Sequence, residues 1–295
     1  MRRQDSALAL LRSILLLAIL AGGSVAQAQK ILESSGSWHN GSNWSGGSVP
    51  TASNPVIISA LSGRNADIYQ GNAASGNTFV GNQAGRSGSV YLYNSRDWTV
   101  SGSLNIGYLG TGFLSISNGS AVYSSLGTLG DGSTGDGTAV VSGQWINSGN
   151  FYVGRQGTGD ITIQSTGIVQ SSDGFVGASS DAIGTVDVRG LWSNNDEPRI
   201  GDNGQGTLEI RSGGKVTSAV GRVGFSSGGV GTVLVTGANS WWQNNATIAL
   251  GTSGSGTITI EAGGRISATQ VNFTNTSVST AGQATLYLKG TSSSR

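Results

Sequence analysis

Aliphatic residues recur through the chain in pairs separated by one position: Val90/Leu92, Leu114/Ile116, Ala139/Val141, Ile161/Ile163, Val186/Val188, Leu208/Ile210, Val233/Val235 and Ile258/Ile260. The residues inside these pairs, Tyr91, Ser115, Val140, Thr162, Asp187, Glu209, Leu234 and Thr259, are mostly polar. Alternation with a period of two predicts short strands that bury one face. A helical period is absent outside the first 28 residues, and Gly, Ser, Thr and Asn, which are poor helix formers, dominate elsewhere.

The strands belong to a repeat. Trp98/Gly107, Trp145/Gly154, Trp192/Gly201 and Trp242/Gly251 share the spacing W-x8-G, and successive tryptophans stand 47, 47 and 50 residues apart. After each of these glycines comes a second motif: GTGFLSI (110–116), GTGDITI (157–163), GQGTLEI (204–210) and GSGTITI (254–260). The other half of each unit carries GSVYL (88–92), GTAVV (137–141), GTVDV (184–188) and GTVLV (231–235). Leading glycines of the half-units fall at 81, 107, 130, 154, 177, 201, 224 and 251, mostly 23–24 residues apart.

A half-unit of this length holds three short strands and three bends, which is one coil of a solenoid. The expected fold is all-β: a single-stranded right-handed parallel β-helix of about 8–10 coils, with 23–24 residues per coil. Equivalent strands then stack at ~4.8 Å per coil. Ordering one coil costs ~1–2 kcal/mol per residue, more than its few aliphatic side chains return, so a coil folds only against neighbours. A β-propeller has blades of similar length, but it needs four hairpin-linked strands per blade rather than two similar halves. Within one coil, Gly107, Gly110 and Gly112 are expected to take a corner while Leu114 and Ile116 face the bore.

The amino terminus is organised differently. A basic stretch (MRRQDSALALLRS), an apolar run (ILLLAIL, 14–20) and a small-residue site (AQA, 26–28) form a secretory signal peptide with a cut after Ala28. The apolar run is shorter than the ~20 residues needed to span a bilayer. Cleavage would leave 13 of the 16 basic and 14 of the 15 acidic side chains. Such a balance argues against nucleic acid as a partner. No membrane-spanning segment is expected after cleavage. The domain plan is 1–28 signal peptide, 29–70 amino-terminal segment and cap, 71–275 repeats, and 276–295 a carboxy-terminal cap or truncated end.

Glycine accounts for 50 of 295 residues and cysteine for none, so disulfides and thiolate chemistry are absent. The one histidine, His39, has no cysteines or clustered carboxylates to complete a zinc site. Asp196 and Glu197 are adjacent and would point apart on a strand. GDGSTGDG (130–137) offers a cation only Asp131 and Asp136, and reads as a solvated turn. No catalytic residue, metal or cofactor is assigned, and an enzyme is not expected. The tryptophan series admits two readings. Exposed, Trp98, Trp145, Trp192, Trp241 and Trp242 would be surface-contact residues that stack on sugar rings; buried, the series would wedge a corner of every second coil. Burial is the expectation, because tryptophan is highly buried on average and its flanking residues vary here.

The repeat, W-x8-G, G-x-G-x-L-x-I, G-G-x-V and G-T-x-x-V, resembles the Gly-rich repeats of type V secretion (autotransporter) passengers and of PEP-CTERM-associated repeat proteins. WHNGSNWSGGSVPTASNPVII (38–58) is similar to the segment that opens such proteins. The resemblance covers about residues 36–275. It implies a non-enzymatic passenger or adhesin-like protein outside a Gram-negative cell, meeting glycans, proteins or an outer-membrane transporter. The alternative is a carbohydrate-binding or carbohydrate-active β-helix, lyase- or glycosidase-like. Neither a carboxy-terminal barrel nor a Pro-Glu-Pro sorting motif follows the repeats in this chain.

Overall fold

The computed structural model describes residues 28–273 and 283–289. The predicted signal peptide, apart from Ala28, lies outside the described residues, as do parts of segment 276–295.

The chain forms a parallel β-solenoid of about ten coils. Each coil visits three sheets in turn. The first holds the long strands, such as Thr111–Ile116 and Asp136–Val141; the second holds strands such as Gln144–Asn147; the third holds strands such as Phe151–Val153. Among the described residues the sheets contain 11, 9 and 11 strands respectively, and the ladders within each are parallel. Among the described residues consecutive strands are not paired with one another, so these coils are not the hairpin-linked blades of a propeller. Strand Gln283–Lys289 adds an eleventh rung to the first sheet, so part of the segment expected to be a cap continues the ladder.

All the aliphatic pairs of the sequence pattern enter the bore, apart from Ile260, which is only partly buried. One glycine column builds the corner that leads into the first sheet, and a second lies just beyond it. The leading glycines have φ between 64° and 70°, a left-handed conformation in which a side chain is strained. The second column, which includes Gly112, Gly137 and Gly184, sits within the first-sheet strands rather than at the corner expected for Gly112. Its backbone is not left-handed. These positions require glycine because a Cβ on Gly137 would lie 2.1 Å from the Ile106 carbonyl oxygen of the preceding coil.

The doubled repeat has a packing cause. Along the second sheet one inward column reads Ala73, Trp98, Val122, Trp145, Val169, Trp192, Val216, Trp242 and Ile266, all in register. The neighbouring third-sheet column alternates in concert: Leu104, Gly127, Phe151, Gly174 and Pro198, then Gly221 and Ile248. The Trp192 and Trp242 indoles lean over the glycine of the preceding coil, while Gly127 lies under the Phe151 ring of the Trp145 coil. A Cβ on Gly174 would stand 2.3 Å from the Trp192 ring, and one on Gly221 would stand 2.6 Å from the Trp242 ring. A coil with tryptophan therefore needs a coil without bulk beneath it, and two coils make one repeat. At the amino-terminal end Trp38 packs 5.3 Å from Trp98 and 4.8 Å from Trp44.

Polar groups inside the bore are drawn into the same ladder. Ser124 accepts from Trp145 Nε1 at 3.2 Å and donates to Asn147 Oδ1 at 2.5 Å. Ser171 donates to Asn194 at 2.9 Å, and Ser218 donates to Asn244 while accepting from Trp242. Serine on the lighter coil and asparagine on the heavier one thus join successive coils where the second sheet turns into the third.

Candidate functional site

Trp98, Trp145, Trp192 and Trp242 are each 0% exposed. Their rings lie inside the bore, so the surface-contact role falls away for these four, and the buried reading holds. Only Trp241 reaches the surface. It is half-buried on the outer side of the second sheet, under Arg265 at 5.9 Å, and its Nε1 donates to Ser267. The difference follows from strand alternation: adjacent residues face opposite sides.

The other candidates disperse. His39 contacts the carbonyl of Asn72 at 3.1 Å. Asp131 is bound to Arg155 at 3.0 Å, whereas Asp136 is exposed at the start of a first-sheet strand. Asp196 is exposed and Glu197 buried, but both sit in the bend between strands Leu191–Asn194 and Pro198–Ile200 rather than on the strand expected for them.

The structure instead gathers chemistry on the outer side of the third sheet. In register along the solenoid the middle positions are Phe79, Asn105, Thr128, Tyr152, Phe175, Arg199, Arg222 and Ala249. Side chains immediately after the corner glycines fold back onto this column. Tyr108 meets Phe79 edge-on at 5.0 Å, and Phe225 receives both Arg199 and Arg222. Tyr152 and Phe175 stack at 4.7 Å, with Arg155 over Tyr152 and Arg199 over Phe175 at 5.2 and 5.1 Å. The result is a stripe in two stretches: the Phe79–Tyr108 pair, and a run of stacked rings and guanidinium planes from Arg155 and Tyr152 to Phe225.

Its charges are internally matched. Glu197 is buried between two arginines: Arg199 donates to Oε1, and Arg222 donates to Oε2 at 2.6 Å. Burial alone would push this carboxyl up, but the hydrogen bonds and charges of Arg222 and Arg199 outweigh it and hold it below the usual carboxylate range. Burial pushes the Asp202 carboxyl up, and Arg199 at 3.4 Å offsets this only in part. A second pair of clamps lies on the first sheet, where Arg189 and Arg211 each approach Asp187 at 2.7 Å. There too burial acts upward and the two guanidiniums prevail, leaving Asp187 depressed.

A depressed carboxyl contributes stability that is complete above its unfolded value and is lost as pH falls through the folded one. Glu197→Gln is therefore expected to cost about 2 kcal/mol at neutral pH and progressively less as pH falls below the usual carboxylate range. Urea melts of both proteins over this fall in pH check it; equal losses at both ends would contradict the clamp.

Where the stripe passes the turn after Gly130, a shallow groove of ≈ 270 Å³ opens among Tyr108, Leu109, Asp131, Ser133, Arg155 and Gln156. Apart from Asp131, these residues were not singled out from the sequence. A readable trace does exist: the positions two before and one after each corner glycine are rich in Phe, Tyr, Arg and Asp. Reading those offsets as columns would have exposed the stripe. No protein-family model matches the chain, and no curated protein or solved structure matches it significantly.

Proposed function

We propose that the protein is a non-enzymatic, exported, adhesin-like β-helical rod that works at or beyond the surface of a Gram-negative cell. The observation that supports this most is the aromatic–arginine stripe on the third sheet. It runs along several coils and balances its guanidiniums with neighbouring carboxylates, an arrangement suited to contact along a length. Acid–base catalysis at one point would want a carboxyl or imidazole free to exchange a proton with a ligand. Glu197 and Asp187 are instead clamped by two arginines each. The signal-peptide pattern of residues 1–28 supports export.

The test is expression of the full chain in a Gram-negative host, followed by amino-terminal sequencing of the exported form. That form should begin at Gln29 and, when fluorescently labelled, bind saturably to epithelial cells or to a biofilm matrix. Retention uncleaved in the cytoplasm, absence of saturable binding, or turnover of pectin or another polysaccharide would overturn the reading.

A further inference from the structure

We propose that the groove beside Tyr108 and Arg155 is a subsite for a neutral, linear glycan whose chain runs along the rod over the third-sheet stripe. This deepens the adhesin-like reading and rests on it.

The donor and acceptor pattern selects the ligand. Asp131 can only accept hydrogen bonds and Arg155 can only donate them, while Ser133 and Gln156 can do both. Sugar hydroxyls both donate and accept, so they match this mixture. Phosphate and sulfate groups only accept, and here they would meet the carboxylate of Asp131, which is 3.0 Å from Arg155. Charge along the stripe agrees: Arg155, Arg199 and Arg222 are opposed by Asp131, Glu197 and Asp202, giving no net attraction for a polyanion.

The apolar share of the site has the matching shape. Tyr108 and the exposed Leu109 flank the groove, and beyond Arg155 the stacked Tyr152 and Phe175 rings present their edges along the same face. Aromatic surface with a polar rim suits the C–H faces and hydroxyl edges of pyranose rings. Strands repeat at ~4.8 Å, so each coil offers a further contact to a ligand that itself repeats. A peptide adding as a β-strand is disfavoured here, because third-sheet strands beside the groove have a partner on both sides.

The experiment titrates the exported full chain with cellohexaose, mannohexaose and laminarihexaose, with polygalacturonate as the anionic control, by calorimetry. At least one neutral hexasaccharide should bind, and Tyr108→Ala should weaken it about tenfold or more. Arg155→Gln and Gln156→Ala, at exposed or half-exposed positions, should each weaken it with an unchanged melting temperature, which covers the case of a poorly folded Tyr108 variant. Trp241→Ala, on another face, should leave it unchanged. Binding to polygalacturonate alone, no binding to any of the three, or full affinity in the Arg155 and Gln156 variants would overturn the proposal. If saturable cell binding persists and the hexasaccharides do not compete, the glycan assignment fails while the adhesin-like reading stands.

Discussion

Trp145→Ala is expected to destabilise the protein by about 3–5 kcal/mol, the range for truncating a large buried aromatic. The indole is 0% exposed, lies 4.9 Å from the Phe151 ring, and stands in register between Val122 and Val169. The cavity cannot close, because parallel ladders on all three sheets hold neighbouring coils at a fixed separation. Removal also strips Ser124 of the donor whose hydrogen bond it accepts. Repeat proteins transmit such damage to nearest neighbours first. Urea melts should show the loss, and hydrogen exchange should show it concentrated in strands Ala121–Ser124, Gln144–Asn147 and Ile168–Ser171. Trp241→Ala, at a half-buried outer position, should cost about 1 kcal/mol or less. Similar losses in the two variants would show that the inward column is not what holds the coils together.

Gly137→Ala should be nearly as damaging, through sterics alone. The added methyl would meet the Ile106 oxygen at 2.1 Å and the Gly130 nitrogen at 2.6 Å, both backbone atoms of the adjoining corner. Neither can move without breaking ladder hydrogen bonds, so the cost is expected at about 3 kcal/mol or above. Gly213→Ala supplies the contrast. Its φ is 83°, yet no atom lies within 4 Å of the new Cβ, so only the left-handed strain of about 1–2 kcal/mol applies. Melts of the two variants separate the two reasons for glycine in this chain. If Gly213→Ala were the worse, backbone conformation rather than close approach would dominate.

That contrast shows where sequence reasoning reached and where it stopped. The corner glycines were legible because eight of them keep one register, and all eight adopt the same left-handed conformation. Gly112 was misplaced to the corner because its reason is not conformational. It faces the backbone of Gly107, with the nitrogen 2.1 Å from a built Cβ, and that proximity exists only after the corner has closed. The period of 47 was plain in the sequence, but its cause was not. Trp192 excludes a side chain at Gly174, 18 positions earlier, only because the coils stack.

The outer stripe was missed for a related reason. Tyr152 and Phe175, or Arg199 and Arg222, are separated by a full coil, and no local pattern announces that they touch. Glu197 looked like half of an adjacent acidic pair with Asp196, whereas its partners are two arginines, one of them a coil away.

By itself the sequence determined the strand faces, the coil length and the left-handed corners. Each of these depends on one residue's conformation or on alternation within a few positions. The tertiary structure alone decided which tryptophans are hidden, why heavy and light coils alternate, and which rings and guanidiniums form one surface. Those depend on contacts between residues about 24 positions apart, and such contacts come into being only when each coil is laid upon the last.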